Sequence, residues 1–121
     1  MGCENCSAPP KDTVKVEYFG MGYARADPIR FLLHHANVEY EYVGYDFAQW
    51  KEVKANNPPE FGGLPIVTIN GKRWGQSMAI LRALGAKYGY YTPNDATKAY
   101  YCDVALDCFV DIHDQTNGLT M

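Results

Sequence analysis

The chain has 121 residues, enough for one ordinary domain with a modest core and with little room for a second. Hydrophobic residues make up 47% of it, which argues against global disorder, and no apolar run approaches the roughly 20 residues that cross a bilayer. The net charge is −3 without a basic block, so the composition excludes the electrostatic footprint of a nucleic-acid-binding protein.

Residues 1–12 are predicted to be a flexible leader that ends at two prolines. Gly2 and Cys3 are candidate sites for myristoylation and palmitoylation, with an inert tail as the alternative, and membrane tethering is expected only if they are lipidated. Cys3 and Cys6 form a C-x-x-C pair, but a redox pair of this kind belongs at a helix start after a strand. No metal site is expected, and the four cysteines favour a reducing, cytoplasmic compartment over a disulfide framework.

A domain over residues 13–91 opens with alternating apolar residues, which predict a strand over Thr13–Phe19. An amphipathic helix from Ala24 to Asn37 follows, and a second strand is predicted over Glu39–Tyr45. This β-α-β order requires a crossover that brings the two strands side by side and parallel. A short helix over Asp46–Lys54 comes next.

A glycine-rich loop then leads into a predicted hairpin. The Asn-Gly step can take the positive φ angles of a two-residue turn, so Ile66–Ile69 and Lys72–Trp74 should pair antiparallel. Pro65 has no N–H and stands where the strand begins, a position that permits a cis bond to Leu64. Gln76 and Ser77 fall at a helix start, where unpaired N–H groups favour an anion.

The next helix is predicted over Ser77–Tyr88, closed by Gly89. Residues 92–121 are predicted to hold one more helix, capped at Thr92–Asp95 with Pro93 in first position and ended at Asn117-Gly118. Its apolar positions imply a buried face: Tyr100, Val104, Ala105, Cys108, Phe109 and Ile112. The predicted fold class is α/β, a thioredoxin-like four-stranded mixed sheet with flanking helices, followed by one helix of a truncated all-α domain.

In this ordered set of motifs the sequence resembles the glutathione S-transferase family, specifically its tyrosine-type, sigma- or mu-like members. The resemblance runs from about Val14 to Asp114. It rests on Tyr18-Phe19, Arg25–Arg30, Trp50 with Lys54, Leu64-Pro65 and Gln76-Ser77. The segment between Lys54 and Leu64 is longer than is usual in the family.

The resemblance implies a role for each of these residues in binding glutathione as co-substrate. Leu64 and Pro65 would bind the cysteinyl backbone, Gln76 and Ser77 the γ-glutamyl carboxylate, and Trp50 with Lys54 the glycyl carboxylate. Tyr18 would donate its hydroxyl to the thiol, and Arg25 would orient that tyrosine. Each residue also has an ordinary alternative: strand packing for Tyr18, capping of the core for Trp50, a solvated charge for Lys54 and a helix cap for Gln76-Ser77.

Two functions follow from the resemblance. The first is a glutathione transferase that conjugates, isomerises or reduces small electrophiles if the helical half is supplied, with weak or no activity expected of this chain alone. The alternative is a non-catalytic, transferase-derived subunit of a larger assembly. In both, a protein partner or dimer mate is expected to cover the last helix.

Overall fold

The structure is a computed structural model that describes residues 11–20 and 24–119, with side chains placed for 11–20 and 24–116. The predicted leader up to residue 10, with Gly2, Cys3 and Cys6, lies outside the described residues. In chain order the described elements are β1 (Val14–Phe19), α1 (Asp27–His35), β2 (Glu41–Tyr45), α2 (Phe47–Asn56), β3 (Ile66–Ile69), β4 (Lys72–Trp74), α3 (Ser77–Tyr88) and α4 (Ala96–Leu119). None of the helices in these described ranges is both long and apolar enough to cross a membrane.

The four strands form one mixed sheet in the order β2-β1-β3-β4. β1 runs parallel to β2, with Val16 opposite Tyr42, and antiparallel to β3, with Val16 opposite Val67. β3 and β4 pair antiparallel around the Asn-Gly turn, with Ile69 opposite Lys72. The predicted β-α-β unit, the hairpin and the thioredoxin-like sheet are therefore confirmed.

One face of the sheet packs against α1 and α3 and forms the core. Alternate residues of β1 point to this face because successive side chains of a strand lie on opposite sides. Full burial of a Leu or Ile side chain contributes about 1.5–3 kcal/mol, so this cluster is the main source of stability. Its buried members are Val14, Val16, Ile29, Leu33, Val67, Ile69, Ile80 and Leu84.

The opposite face carries α2. Asp46 caps this helix in a capping box: its carboxylate accepts from the Gln49 N–H at 2.7 Å, and the Gln49 amide oxygen accepts from the Asp46 N–H at 2.9 Å. Trp50 is the buried residue of α2. The helix is thus fixed at its start by local chemistry and along its length by one large side chain.

Several helix ends differ from the predictions. α1 covers Asp27–His35 rather than Ala24–Asn37, and Asn37 follows it with a positive φ of 56°. α4 begins at Ala96 because Asp95, not Thr92, accepts a bond from the Lys98 N–H at 3.2 Å. The Thr92 carbonyl instead accepts from the Asp95 N–H, and this turn comes before the helix.

Most of the predicted buried face of α4 is exposed in this chain, and of its six residues only Phe109 is half-buried. Tyr100 is 63% exposed, Ile112 62% and Val104 38%, and Ala105 and Cys108 are exposed as well. α4 is held instead by polar contacts on another face, since Asp103 accepts from Arg82 at 2.8 Å and from the Tyr91 hydroxyl at 3.2 Å. The Arg82 guanidinium holds the pKa of Asp103 below its usual value, which keeps this contact charged.

Asp12 anchors the chain just before β1. Its carboxylate accepts from the Asn70 amide at 2.9 Å and from the Tyr88 hydroxyl at 2.9 Å, and Lys87 lies 3.5 Å away. These contacts join the residue before β1 to the hairpin turn and to the end of α3. The bonds from Asn70 and Tyr88 lower the pKa of Asp12, while burial and the bond to Asp12 raise the pKa of Tyr88 to about 12.

We expect Asp12→Asn to lower the free energy of unfolding by about 1 kcal/mol at neutral pH, because a charged acceptor of two bonds is lost. The folded state lowers the pKa of Asp12, so its contribution is complete above the ordinary value of 3.8 and is lost as the pH falls through the lower folded value. Urea unfolding over a pH series should therefore show that the free energies of unfolding of the wild type and of Asp12→Asn converge in acid. Asp111→Asn, at an exposed position of α4, is the control; curves that stay parallel in acid would contradict the prediction.

Candidate functional site

The predicted site residues gather at one end of the sheet. β1 pairs with β3 with Glu17 opposite Ile66, so one further step of the same register brings Tyr18 opposite Pro65. β3 pairs with β4 with Val67 opposite Trp74, and the same direction leads from Pro65 toward Gln76. The end of β1, the bend before β3 and the start of α3 therefore meet at one edge.

Tyr18 is 8% exposed, and its ring meets the Phe19 ring edge-on with centroids 5.5 Å apart. None of the described residues hydrogen-bonds its hydroxyl, and no fully buried side-chain polar atom of the described chain lacks a partner. The hydroxyl oxygen is therefore not completely buried, which leaves it open to a bond with a ligand. A hydrogen-bond donor is held in a fixed position when its ring packs into the fold and its polar end stays accessible.

The backbone after Tyr18 is held by β2. The Gly20 N–H donates to the Tyr45 carbonyl at 2.9 Å, and the Tyr42 hydroxyl donates to the Phe19 carbonyl at 2.8 Å. Gly44 lies so close to Gly20 that a Cβ on Gly44 would stand 2.7 Å from the Gly20 Cα. β2 thus determines where β1 ends and where Tyr18 stands.

A buried carboxylate supports the same strand from the other face. Glu17 is 6% exposed and accepts a bond of 2.6 Å from the Tyr45 hydroxyl. Burial and this bond raise the pKa of Tyr45 to about 12, so the phenol stays a donor throughout the neutral range. The sequence reasoning missed this pair; the alternation of Glu17 and Tyr18 along one strand was the available signal, since it places a carboxylate on the face that also carries α2.

Arg25 lies just before α1 and bonds across to α4. Its guanidinium donates to the Asp114 carboxylate at 2.9 Å, and both side chains are partly exposed. The structure therefore joins Arg25 to α4, a contact that the sequence did not predict. Residues 21–23, between Tyr18 and Arg25, lie outside the described residues, and the orienting role of Arg25 stays a prediction.

A cavity of about 410 Å³ opens beside Arg25, between the start of α1 and α4. Its walls are mainly apolar, with Phe31 on one side and Phe109 and Ile112 on the other. The described residues that line it are Ala24, Asp27, Pro28, Phe31, Phe109, Ile112, His113 and Thr116. A cavity of this size and character suits a small apolar molecule.

The Leu64–Pro65 peptide bond is cis, as the sequence permitted. Pro65 is buried, while Leu64 is partly exposed and precedes the described ladder, which begins at Ile66. The main chain at Leu64 can therefore pair with an extended peptide in the manner of an added strand.

Gln76 and Ser77 form the start of α3, as predicted. Gln76 has φ 67° and ψ 102°, an unusual conformation for a residue with a side chain, and it is exposed. Ser77 is 6% exposed and begins the helix, and no described side chain caps this N-terminus. A strained residue next to an uncapped helix start marks a position suited to a bound anion.

Trp50 and Lys54 lie one turn apart on α2. The Trp50 indole is 9% exposed, stacks on Tyr45 at 5.9 Å and meets Phe19 edge-on at 6.5 Å. Lys54 is exposed in the last turn. The structure gives Trp50 a packing role, and the contact of this pair with the glycyl carboxylate stays a prediction.

The described residues contain no group of three or more His, Cys, Asp or Glu side chains that could hold a metal ion. Cys102 and Cys108, the cysteines within the described ranges, are free thiols.

The comparisons with known proteins agree with this geometry. A family model described as the glutathione S-transferase N-terminal domain matches residues 14–85. Glutathione S-transferase 2 of Manduca sexta is 39% identical over 100 residues, covering 82% of this chain and 46% of the relative. Probable glutathione S-transferase 6 of Caenorhabditis elegans is 38% identical over 108 residues, covering 88% and 50%. A solved Nu-class transferase from Haemonchus contortus has a TM-score of 0.73 at 34% identity, covering 83% of this chain and 47% of that one.

The chain spans about half the length of the curated relatives it matches. The part matched by the family model begins with β1 and ends within α3, so it contains Tyr18, the cis Leu64–Pro65 bond and the Gln76-Ser77 helix start. By fold and by sequence, this chain belongs to the glutathione S-transferase family.

Proposed function

We propose that this chain binds glutathione at the edge of the sheet where β1, the bend before β3 and the start of α3 meet. The observation that carries the proposal is the uncapped start of α3 behind the strained Gln76, beside a free backbone edge at Leu64. A tripeptide with a carboxylate at each end fits such a site because its backbone can pair with the edge at Leu64 while one of its carboxylates binds at the start of α3. Glutathione is the co-substrate of the family.

In the proposed complex each residue has one task. Leu64 and Pro65 bind the cysteinyl backbone, Gln76 and Ser77 bind the γ-glutamyl carboxylate, and Trp50 with Lys54 binds the glycyl carboxylate. Tyr18 donates its hydroxyl to the sulfur and favours the thiolate. Arg25 orients Tyr18 and adds positive potential.

We further propose that the activated thiol attacks a small electrophile. The apolar cavity between the start of α1 and α4 supports this step, because its walls offer apolar contact to such a reactant. The sulfur forms a bond to the electrophilic atom, and a leaving group departs or, in an addition, a proton is taken up there. Isomerisation and reduction by the same thiolate remain alternatives.

A non-catalytic subunit of a larger assembly is the second candidate. The observation that favours it is the apolar surface of α4 in this chain, where Tyr100, Tyr101 and Ile112 are each more than half exposed. A protein partner or dimer mate would bury these side chains. Conjugation by the purified chain would contradict this second function, since a subunit of this kind conjugates nothing alone.

A reducing, cytoplasmic compartment is proposed from the free thiols at Cys102 and Cys108. Tethering through lipidated Gly2 and Cys3 stays a prediction that mass spectrometry of the native N-terminus would test.

We expect Gln76→Ala to weaken glutathione binding roughly tenfold to a hundredfold, because a bond to a charged carboxylate is lost. Isothermal titration calorimetry measures the affinity, and Asn94→Ala, which truncates an exposed amide before α4, should bind like wild type. Gln76→Gly distinguishes the loss of the side chain from the strain of the backbone. It should bind glutathione as weakly as Gln76→Ala does. Its free energy of unfolding should be about 1 kcal/mol higher than that of the wild type, since glycine tolerates positive φ. Wild-type affinity in Gln76→Ala would overturn the site.

A further inference from the structure

The end of α2 is secured by a residue from the far edge of the sheet. Arg73 lies on β4, opposite Thr68 of β3, and its side chain is partly exposed. Its Nη2 donates to the Asn57 carbonyl at 2.9 Å, and its Nη1 donates to the Asn57 side-chain oxygen at 3.2 Å and to the Pro58 carbonyl at 3.3 Å. One guanidinium thus contacts three oxygens at the helix end.

These contacts are suited to a helix C-terminus. The last carbonyls of a helix have no partner within it and carry partial negative charge, so a cation that donates to them stabilises that end. A guanidinium presents several donors in a rigid plane, whereas an ammonium presents a point charge. Arg73 therefore fixes both the position and the direction of the chain as it leaves α2.

α2 has little else to position its far end. The capping box at Asp46 fixes the start of the helix, and Trp50 is its buried residue. Lys54 follows Trp50 on α2 and comes shortly before Asn57, which Arg73 contacts. Arg73 contacts the chain at Asn57 and Pro58, directly after this helix.

Arg73 is also close in sequence to Gln76, at the other end of the proposed site. β4 continues from Arg73 through Trp74 and Gly75 to Gln76 and the start of α3. Arg73 thus connects the element that carries Trp50 and Lys54 with the strand that leads to Gln76. In the proposed complex these two elements bind opposite ends of one tripeptide.

We propose that Arg73 is a positioning residue that sets the spacing between α2 and the β4–α3 junction, and so aligns the glycyl-binding end of the glutathione site. This inference rests on the proposed function. In the proposed complex Arg73 acts through α2 rather than through contact with the ligand. Its loss should therefore weaken binding of the glycyl end and leave binding of the γ-glutamylcysteinyl part unchanged.

The test compares glutathione with γ-glutamylcysteine, which lacks the glycyl end, by titration calorimetry. Arg73→Met should weaken glutathione binding roughly fivefold to twentyfold, the range of one charge-assisted contact, and leave the affinity for γ-glutamylcysteine unchanged. Arg73→Lys should recover part of the loss. Lys72→Met removes an exposed charge from the adjacent position of β4 and should behave like wild type with both ligands.

Hydrogen exchange supplies a second measurement. The amides at the end of α2, from Lys54 to Asn57, should exchange faster in Arg73→Met, while those of α3 should not change. Unchanged glutathione affinity in Arg73→Met, or an equal loss for both ligands, would overturn the inference and leave the proposed function standing. Failure of the wild-type chain to bind glutathione would overturn the proposed function and this inference with it.

Discussion

Tyr18→Phe should raise the pKa of the bound glutathione thiol by about one to two units and leave glutathione affinity almost unchanged. A hydrogen bond donated to a charged group contributes about 1.5–3 kcal/mol, and this one favours only the thiolate. Without it the thiol returns toward its ordinary value of ~8.5. At neutral pH, conjugation should slow roughly tenfold to a hundredfold in any preparation that conjugates.

Ultraviolet absorbance of the thiolate, followed as the complex is titrated, measures this pKa without requiring turnover. This measurement suits the chain because it does not depend on turnover, and the chain spans only part of its relatives' length. Tyr100→Phe is the matched control, since Tyr100 lies on α4 with its side chain 63% exposed. An unchanged thiol pKa in Tyr18→Phe would remove Tyr18 from the chemistry even if the chain binds glutathione.

The parts of the fold that depend on neighbouring residues were predictable. The Asn-Gly turn is the clearest case, because Asn70 and Gly71 take φ of 50° and 81°, as a two-residue hairpin turn demands. The hairpin then pairs as predicted, with Thr68 opposite Arg73. Gly89 likewise ends α3 with a φ of 88° because glycine adopts this conformation readily.

Helix ends were less predictable because neighbouring residues compete for the same role. Thr92 and Asp95 are both good caps, and the sequence does not say which one accepts the first bond. In the structure Asp95 accepts from Lys98, and Thr92 supplies a turn instead. The start of α1 shows the same ambiguity, since Ala24–Ala26 suits a helix but lies before it.

Contacts between distant residues were not predictable at all. Arg25 and Asp114 are 89 positions apart, and Arg73 and Asn57 are 16 apart on a strand and a helix end. Each pair depends on the final placement of two elements rather than on a local pattern. The sequence identified which residue types occupy the site, while the residues that hold those elements in place emerged only from the structure.

The apolar pattern of α4 shows a related limit. The spacing of Tyr100, Val104 and Ile112 predicted a buried face, and in this chain all three side chains are exposed. Burial also needs a covering element, and in the described chain α4 bonds to the rest of the fold through other residues, Asp103 with Arg82 and Tyr91 and Asp114 with Arg25. The periodicity therefore identifies the apolar face of α4 but not the element that covers it.

The largest stability effect that we predict comes from the glycine opposite Tyr18. Gly44→Ala should lower the free energy of unfolding by about 1–3 kcal/mol, because the new Cβ would stand 2.7 Å from the Gly20 Cα and 3.4 Å from the Tyr42 ring. Both neighbours are held in place, Gly20 by its bond to the Tyr45 carbonyl and Tyr42 by its bond to the Phe19 carbonyl. Thermal unfolding should shift by roughly 5–15 °C.

Gly20→Ala provides the matched control, because the same methyl group placed on the other side of this contact meets only ordinary distances, 3.6 Å to the Gly44 carbonyl carbon. Each alanine restricts the unfolded chain similarly, so the difference between the two variants isolates the clash. β1 and β2 must separate to admit the methyl at Gly44, which moves Tyr18 from its place opposite that residue. Gly44→Ala should therefore also raise the thiol pKa of bound glutathione, as Tyr18→Phe does. Equal stability of the two alanine variants would show that β2 does not fix the end of β1.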